Sequence, residues 1–600
     1  MPDKPARKGG KPESLLFSET VGRAGQYQQE KQWPAAEAEY REALKLALLV
    51  GLGNDDLTAL FNNLGMAVQN QGKLDTAEAV YREALSISPA QPEVCCNLAG
   101  VLRARGKLKE AISLYLSVLR KAPDNAVCLS NLGNACKDLG RYRDAATFYR
   151  KAIAADPGNA LPWNNLGSVL SELGDVSEAV LCFRRALALD PKSPDTFSNF
   201  LLGINYLQQV DSGSLYLAHC QFEVLFCQMF RNRSRVHENV PDPVRPLRLG
   251  FVSGDFGRHP LAAFLQPVFE NLEKAGSQVI CYSNRPTRDE VTSRFESLSH
   301  QWRDVFGVDD ATVARWVRED GIDILVDLSG HTAGNRLLVF ARKPAPVSVT
   351  MAGYMATTGM SAMDYRISSD AMDPVGSSDT FYSERLVRIQ ALPAFAVPEN
   401  SPDVAPLPAQ ERGYVTFASL NNMSKIGPTV LDVWAEILTA VPTSRLTVVG
   451  RTGNNLVDKL EARGVDSARI RMLDYLPMPD YLELHHQIDI LLDPFPFNGG
   501  ATSFIAAWMG VPIVSVAGES GQSRFGALLL KALRMEELLA SNRSEYVSAS
   551  VALAADIPRL ERYRRELRGR MSGLLGDGSE YTRQLETAFR SMWRAWCAKA

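Results

Sequence analysis

The sequence predicts a helical solenoid followed by two doubly wound parallel α/β domains, and three observations carry that prediction. Gly72, Gly106, Gly140 and Gly174 stand 34 residues apart, in phase with Pro89, Pro123, Pro157 and Pro191 and with Asn-Leu pairs that begin at Asn63, Asn97, Asn131 and Asn165. From Leu247 onward, short β-branched runs alternate with helical stretches, the pattern of a parallel sheet covered by helices. Asn498-Gly499-Gly500-Ala501-Thr502-Ser503 lies between a buried apolar run and a helix start, an arrangement that aims free backbone N–H groups at an anion. A chain of 600 residues is too long for one core, so several domains are required.

Taken in order, residues 1–13 are basic and contain proline and glycine, and are expected to form a disordered arm. Residues 14–200 hold the repeats. Each copy reads as a first helix around its Asn-Leu pair, a glycine turn, and a second helix that carries alanines and an aromatic (Ala77, Tyr81 and Ala84 in one copy) before the terminating proline. That 34-residue order is the tetratricopeptide pattern. An earlier copy appears at Trp33 to Leu44, and Ser198-Asn199-Phe200 opens a further first helix with no matching second one. Stacked repeats of this kind build a concave surface for extended polypeptide. Asn63, Asn97, Asn131 and Asn165, one per repeat, are candidates to bind a peptide backbone, because an amide both donates and accepts. The competing reading is that they bond only to neighbouring helices.

Bulk composition narrows the function. With 65 basic against 68 acidic residues and a formal net charge of -3, the chain is not a nucleic-acid binder driven by phosphate neutralisation. No run has the roughly 18 uncharged apolar residues of a membrane helix, so no membrane partner is expected. The nine cysteines contain no CxxC pair and read as reduced core residues of a cytoplasmic protein, not as a disulfide frame or a zinc site.

Residues 201–245 are expected to form connecting helices. The first α/β domain, 246–405, shows strands at 247–253, 278–282, 322–328 and 347–350; the second, 406–560, shows strands at 415–418, 445–449, 469–472, 488–493 and 510–516. Residues 561–600 read as C-terminal helices that pack back across both domains.

Three segments narrow the reading further. Ser253-Gly254-Asp255-Phe256-Gly257-Arg258-His259-Pro260 resembles the first-domain histidine motif of the O-linked N-acetylglucosamine transferases. Phe417 to Lys425 (FASLNNMSK) resembles their phosphate-binding lysine loop, and Leu492 to Thr502 (LDPFPFNGGAT) resembles their nucleotide loop. Repeats ahead of two Rossmann-like domains are also that family's architecture, including its flagellin-modifying bacterial relatives. The resemblance implies a two-domain, GT-B-type glycosyltransferase fold and inverting transfer of a sugar from a nucleotide donor, UDP-N-acetylglucosamine by default, to Ser or Thr hydroxyls of a protein held by the repeats. It implies that Lys425 neutralises the leaving diphosphate with Asn422 donating beside it. By the same resemblance Asn498, Gly499, Gly500, Ala501, Thr502 and Ser503 hold the donor, and His259 orients a reactant at the reacting centre. The competing reading of His259 is a cap for the helix at Leu261, and His331 is a secondary candidate. No Asp-x-Asp is found for a metal, so neither metal nor cofactor is expected.

Departures from the family pattern set further expectations. Gly500-Ala501-Thr502 stands where the family often has His-Thr-Thr, and Ile505 where an acid commonly binds the ribose hydroxyls. Met351-Ala352-Gly353-Tyr354-Met355 replaces a bulkier loop. Ile505 is expected to face Thr502 one helical turn in, where an acid would reach the ribose. The altered residues keep open a flagellin transferase that uses a CMP-activated nonulosonic acid, and a non-catalytic repeat scaffold is the alternative of another class. Because every nucleotide contact lies beyond residue 250, removal of residues 1–190 is expected to spare donor hydrolysis.

Overall fold

The computed structural model describes residues 13–89, 91–231, 237–274, 276–451 and 453–600. The arm expected at 1–13 lies outside these apart from Glu13, which begins the first helix, and so does part of the connection after Arg231. The chain forms two compact units that divide between Val169 and Leu170, inside the helix Ala160–Glu172.

The first unit is all helical. Helices Glu13–Gln29, Trp33–Val50, Asn54–Gln69, Leu74–Ile87, Pro92–Ala104, Leu108–Leu119, Ala126–Asp138 and Tyr142–Ala155 alternate as antiparallel pairs. The phased glycines have a backbone reason: Gly72, Gly106 and Gly140 take φ of 75°, 75° and 78°, a left-handed turn that other residues rarely adopt. Gly65 and Gly133 serve packing, since a Cβ there would lie 2.4 Å and 2.6 Å from the rings of Tyr81 and Tyr149.

The second unit opens with the end of the repeats, helices Val176–Leu189 and Pro194–Ile204. Pro194–Ile204 is followed, in the stretch read as connecting helices, by Ser212–Phe222, which continues as helical turns to Arg231. Two parallel sheets follow. In the first, β1 (Arg248–Ser253), β2 (Gln278–Ser283), β3 (Gln301–Asp304), β4 (Ile324–Asp327), β5 (Val347–Thr350), β6 (Tyr365–Ser368) and β7 (Arg385–Arg388) take the order 3-2-1-4-5-6-7. In the second, β8 (Thr416–Ser419), β9 (Arg445–Val449), β10 (Ile470–Leu473), β11 (Ile490–Leu492), β12 (Ile513–Val516) and β13 (Leu539–Ala540) take the order 10-9-8-11-12-13. Every neighbouring pair is parallel, as β1 with β4 (Leu249 opposite Ile324) and β8 with β11 (Phe417 opposite Ile490). Strand order therefore reverses between β1 and β4 and between β8 and β11. Crevices open at the carboxyl ends of strands at such points, and ligands bind there.

The C-terminal helices tie the two sheets together. Ile557–Leu575 buries Leu560, Tyr563, Leu567 and Met571 in the core of the second sheet. Ser579–Cys597 returns to bury Leu585, Phe589, Met592 and Trp593 in the core of the first. Among the described residues no disulfide is formed, and six of the nine cysteines are buried. Among the described residues no helix is long and apolar enough to cross a membrane.

Candidate functional site

The two reversal points place their loops around one cavity of about 330 Å³. From the first sheet come His259, after β1, and the loop Met351 to Met355, after β5. From the second come Asn421, Asn422 and Lys425, after β8, and Asn498, Gly500, Ala501 and Thr502, after β11. Segments far apart in sequence share this wall because each follows a strand at a reversal point (β1, β8 and β11) or one strand removed from it (β5).

Lys425 ends a short 3-10 turn, Met423–Lys425. Its Nζ donates to the carbonyl of Asn498 at 2.7 Å and lies 4.7 Å from the centre of the Phe497 ring. Burial disfavours the ammonium and lowers its pKa to about 8, an effect that the neighbouring Asp493 carboxylate partly offsets. Asp493 is fully buried, and that burial pushes its carboxyl up. It accepts from Gly499 N at 2.6 Å and from Ser515 Oγ at 2.5 Å, so it anchors the glycine turn from behind. A Cβ on Gly499 would stand 2.4 Å from Ser503 Oγ and 2.9 Å from Asp493 Oδ1, so only glycine packs there.

The helix Ala501–Trp508 begins directly after this turn. First-turn N–H groups have no intrahelical acceptor. Those of Ser503 and Phe504 bond to Gly500 O, and that of Gly499 goes to Asp493. The N–H groups of Gly500, Ala501 and Thr502 are therefore the donors that belong to cavity-lining residues. Thr502 Oγ1 donates to Asn421 Oδ1 at 3.1 Å.

The remaining expected residues divide by position. Asn422 lines the cavity, but its Oδ1 is taken by Ser424 N at 3.0 Å and Ser424 Oγ at 3.1 Å, which leaves its amide N–H groups. Asn498 is buried and bonded at both ends of its side chain, to Pro494 O and from Gly526 N, so its role here is to present a carbonyl to Lys425. Ser503 is fully buried behind the wall, and its Oγ has no partner among the described residues.

His259 precedes the helix Pro260–Lys274 and lines the cavity with its side chain 44% exposed. Leu261 N donates to its Nδ1 at 3.3 Å, and Asp255 Oδ2 lies 3.8 Å from the same atom. Burial favours the neutral ring. With Nδ1 accepting, the neutral ring carries its proton on Nε2.

Two expectations are corrected. His331 is fully buried away from the cavity, between Ser198 Oγ at 3.0 Å from Nδ1 and Thr358 O at 2.9 Å from Nε2. Burial holds its pKa down to about 3, so it is a neutral bridging group. Ile505 is not among the residues that line the cavity. It is 7% exposed inside the core of the second sheet, on the buried face of the helix Ala501–Trp508.

Several wall residues escaped the sequence reading. Asn421 differs from Asn422 only in the way the loop turns. Gln522, buried to 2% exposure, reaches the cavity from the turn Gly521–Ser523, and Tyr581 reaches it from the last helix. The wall around Met351, Met355, Met372, Phe264 and Phe525 is apolar. No motif marked these positions, since they meet only through folding.

In the repeats, Asn97 Nδ2 donates to Asn62 Oδ1 at 2.9 Å and Asn165 Nδ2 to Asn134 Oδ1 at 3.1 Å. Asn63 and Asn131 are half-buried. Among the described residues no group of three or more His, Cys, Asp or Glu side chains is placed to hold a metal ion.

The family model described as Glycosyl transferase family 41 matches residues 220–396 and 406–585, and tetratricopeptide repeat models match 18–90, 93–158 and 130–194. The chain is 37% identical over 413 residues to the probable UDP-N-acetylglucosamine–peptide N-acetylglucosaminyltransferase SPINDLY of Solanum lycopersicum, across 66% of this chain and 44% of that one. It is 25% identical over 470 residues to the UDP-N-acetylglucosamine–peptide N-acetylglucosaminyltransferase of Caenorhabditis elegans, across 58% and 41% of the two chains. The chain thus spans less than half the length of these curated relatives. Among solved structures, a variant of the Thermobaculum terrenum O-GlcNAc transferase superposes with a TM-score of 0.80 at 36% identity, over 85% of this chain and 98% of that one.

Proposed function

Because this chain belongs to glycosyl transferase family 41, we propose that it is a protein O-glycosyltransferase that moves N-acetylglucosamine from UDP-N-acetylglucosamine to Ser or Thr hydroxyls of a protein acceptor. One observation carries the reading: the half-buried Lys425 ammonium and the donors of a helix N-terminus share one cavity with His259 of the opposite sheet. Charge develops on the leaving diphosphate as the glycosidic bond breaks. Donors fixed in advance where that charge appears stabilise the transition state most.

In this proposal Lys425 and the N–H groups of Gly500, Ala501 and Thr502 meet the diphosphate, with the Asn422 amide beside them. His259, with its proton on Nε2, donates a hydrogen bond that orients the reactants. The acceptor oxygen attacks the anomeric carbon from the face opposite the leaving group, which inverts the configuration; the hydroxyl proton passes to the departing diphosphate or to solvent, and the diphosphate leaves toward Lys425 without a metal ion as counter-charge. The repeats hold the acceptor. Asn97 and Asn165 each keep a carbonyl oxygen for a peptide N–H after bonding to Asn62 and Asn134.

The test is donor hydrolysis and transfer by the purified full-length chain. Lys425→Ala should lower turnover by about a hundredfold to a thousandfold, the loss typical of one oxyanion donor, without unfolding the protein. A folded wild-type chain that binds none of UDP, CMP and GDP in thermal-shift measurements would show a repeat scaffold instead. Stabilisation by CMP alone would redirect the donor.

A further inference from the structure

A chain of hydrogen bonds runs from the end of the repeats to Lys425, and its polarity can be read atom by atom. His219 Nδ1 lies 2.6 Å from Leu215 O, which only accepts, so Nδ1 carries the proton and Nε2 is an acceptor. Tyr354 O–H, 2.7 Å away, therefore donates to Nε2. Asn205 Nδ2 donates to Tyr354 O at 2.8 Å and to Leu201 O at 2.7 Å. Gln522 Nε2 donates to Asn205 Oδ1 at 3.1 Å. The carbonyl of Gln522 accepts from Asn498 N at 2.9 Å, and the carbonyl of Asn498 accepts from Lys425 Nζ at 2.7 Å. Asn205 and Gln522 are 1% and 2% exposed.

We propose that Gln522 is a positioning residue for Lys425: its side chain anchors the turn Gly521–Ser523 to Asn205 of the helix Pro194–Ile204, and its carbonyl fixes the peptide that holds the ammonium. The inference rests on the proposed role of Lys425 toward a nucleoside diphosphate. A second contact runs in parallel, since the Tyr206 ring lies 5.0 Å from the Phe497 ring, against which Lys425 packs. The lysine loop is braced from the same side, with Ser424 Oγ donating to Ser171 O at 2.8 Å. The end of the repeats thus takes part in shaping the donor site, and the amide pair 205–522 is the link that ties it to the glycine turn.

The experiment compares UDP and uridine affinity in the full-length wild type and in Gln522→Leu, with Asn205→Ala as a second variant that removes the acceptor from the other side. The expected result is UDP affinity weakened about tenfold with uridine affinity unchanged, because only the diphosphate needs Lys425. In a Lys425→Ala background the same substitution should change UDP affinity by less than about twofold, since an effect exerted through Lys425 has nothing left to act on. Either folded variant binding UDP like the wild type overturns the inference, as does equal loss for UDP and uridine. A loss that persists undiminished beside Lys425→Ala also overturns it. A wild type that binds no nucleoside diphosphate removes the proposed function, and this inference with it.

Discussion

Cutting the chain after residue 169 or after residue 190 separates two accounts of where the repeats end. The sequence places every nucleotide contact beyond residue 250 and so favours either cut, whereas the second compact unit begins at Leu170. The stretch 170–190 supplies Val176 and Val180, buried in a core shared with Val252 and Leu325 of the first sheet. Burial of two such side chains stabilises by about 3–6 kcal/mol. The Ser424–Ser171 hydrogen bond contributes about 0.5–1.5 kcal/mol more. The Lys459–Asp175 ion pair, 2.7 Å long with both side chains 32% exposed, contributes less than about 1 kcal/mol after solvent screening. Together these losses reach roughly 4–8 kcal/mol, a large part of the stability of an ordinary domain. The fragment 170–600 should fold cooperatively and hydrolyse donor, while 191–600 should unfold at much lower urea concentration or fail to fold. Urea titration followed by circular dichroism, with donor hydrolysis on the same samples, is the assay. Equal midpoints and equal hydrolysis for the two fragments would refute the reasoning.

Two further outcomes follow from the site. Burial brings the Lys425 proton off near pH 8, and a diphosphate favours the ammonium, so UDP affinity should fall by about tenfold per pH unit above that value, with proton uptake on binding. Calorimetry in buffers of different ionisation enthalpy reads both, and constant affinity from pH 7 to pH 10 would remove Lys425 from the diphosphate. Ile505→Asp, which the sequence marks as a way to tighten ribose binding, should instead destabilise by about 3–5 kcal/mol, because it leaves an unpaired charge in the core. A well-folded variant with tighter UDP binding would return this position to the cavity.

The sequence alone determined whatever depends on local chain geometry. The repeat period is legible because each turn needs a left-handed glycine at one place, and the central strands are legible because burial on both faces makes them continuous apolar runs. The histidine, lysine and glycine segments are legible because each lies in one short loop. What lay beyond local geometry was decided by tertiary structure. Strands β3 and β7, Gln-Trp-Arg-Asp and Arg-Leu-Val-Arg, are the first sheet's outer strands and lack an apolar run to announce them. His259 and His331 both follow strand ends, yet packing leaves one half-exposed at the cavity and closes the other inside a polar network. Ile505 lies in the core because the buried face of its helix meets the sheet there, which no spacing reveals. Asn205 and Gln522 are 317 residues apart, and a hydrogen bond between two amides leaves no periodic trace in either segment. Sequence encodes the period and the turn directly, whereas the pairing of distant side chains exists only once the cores have set the distance between them.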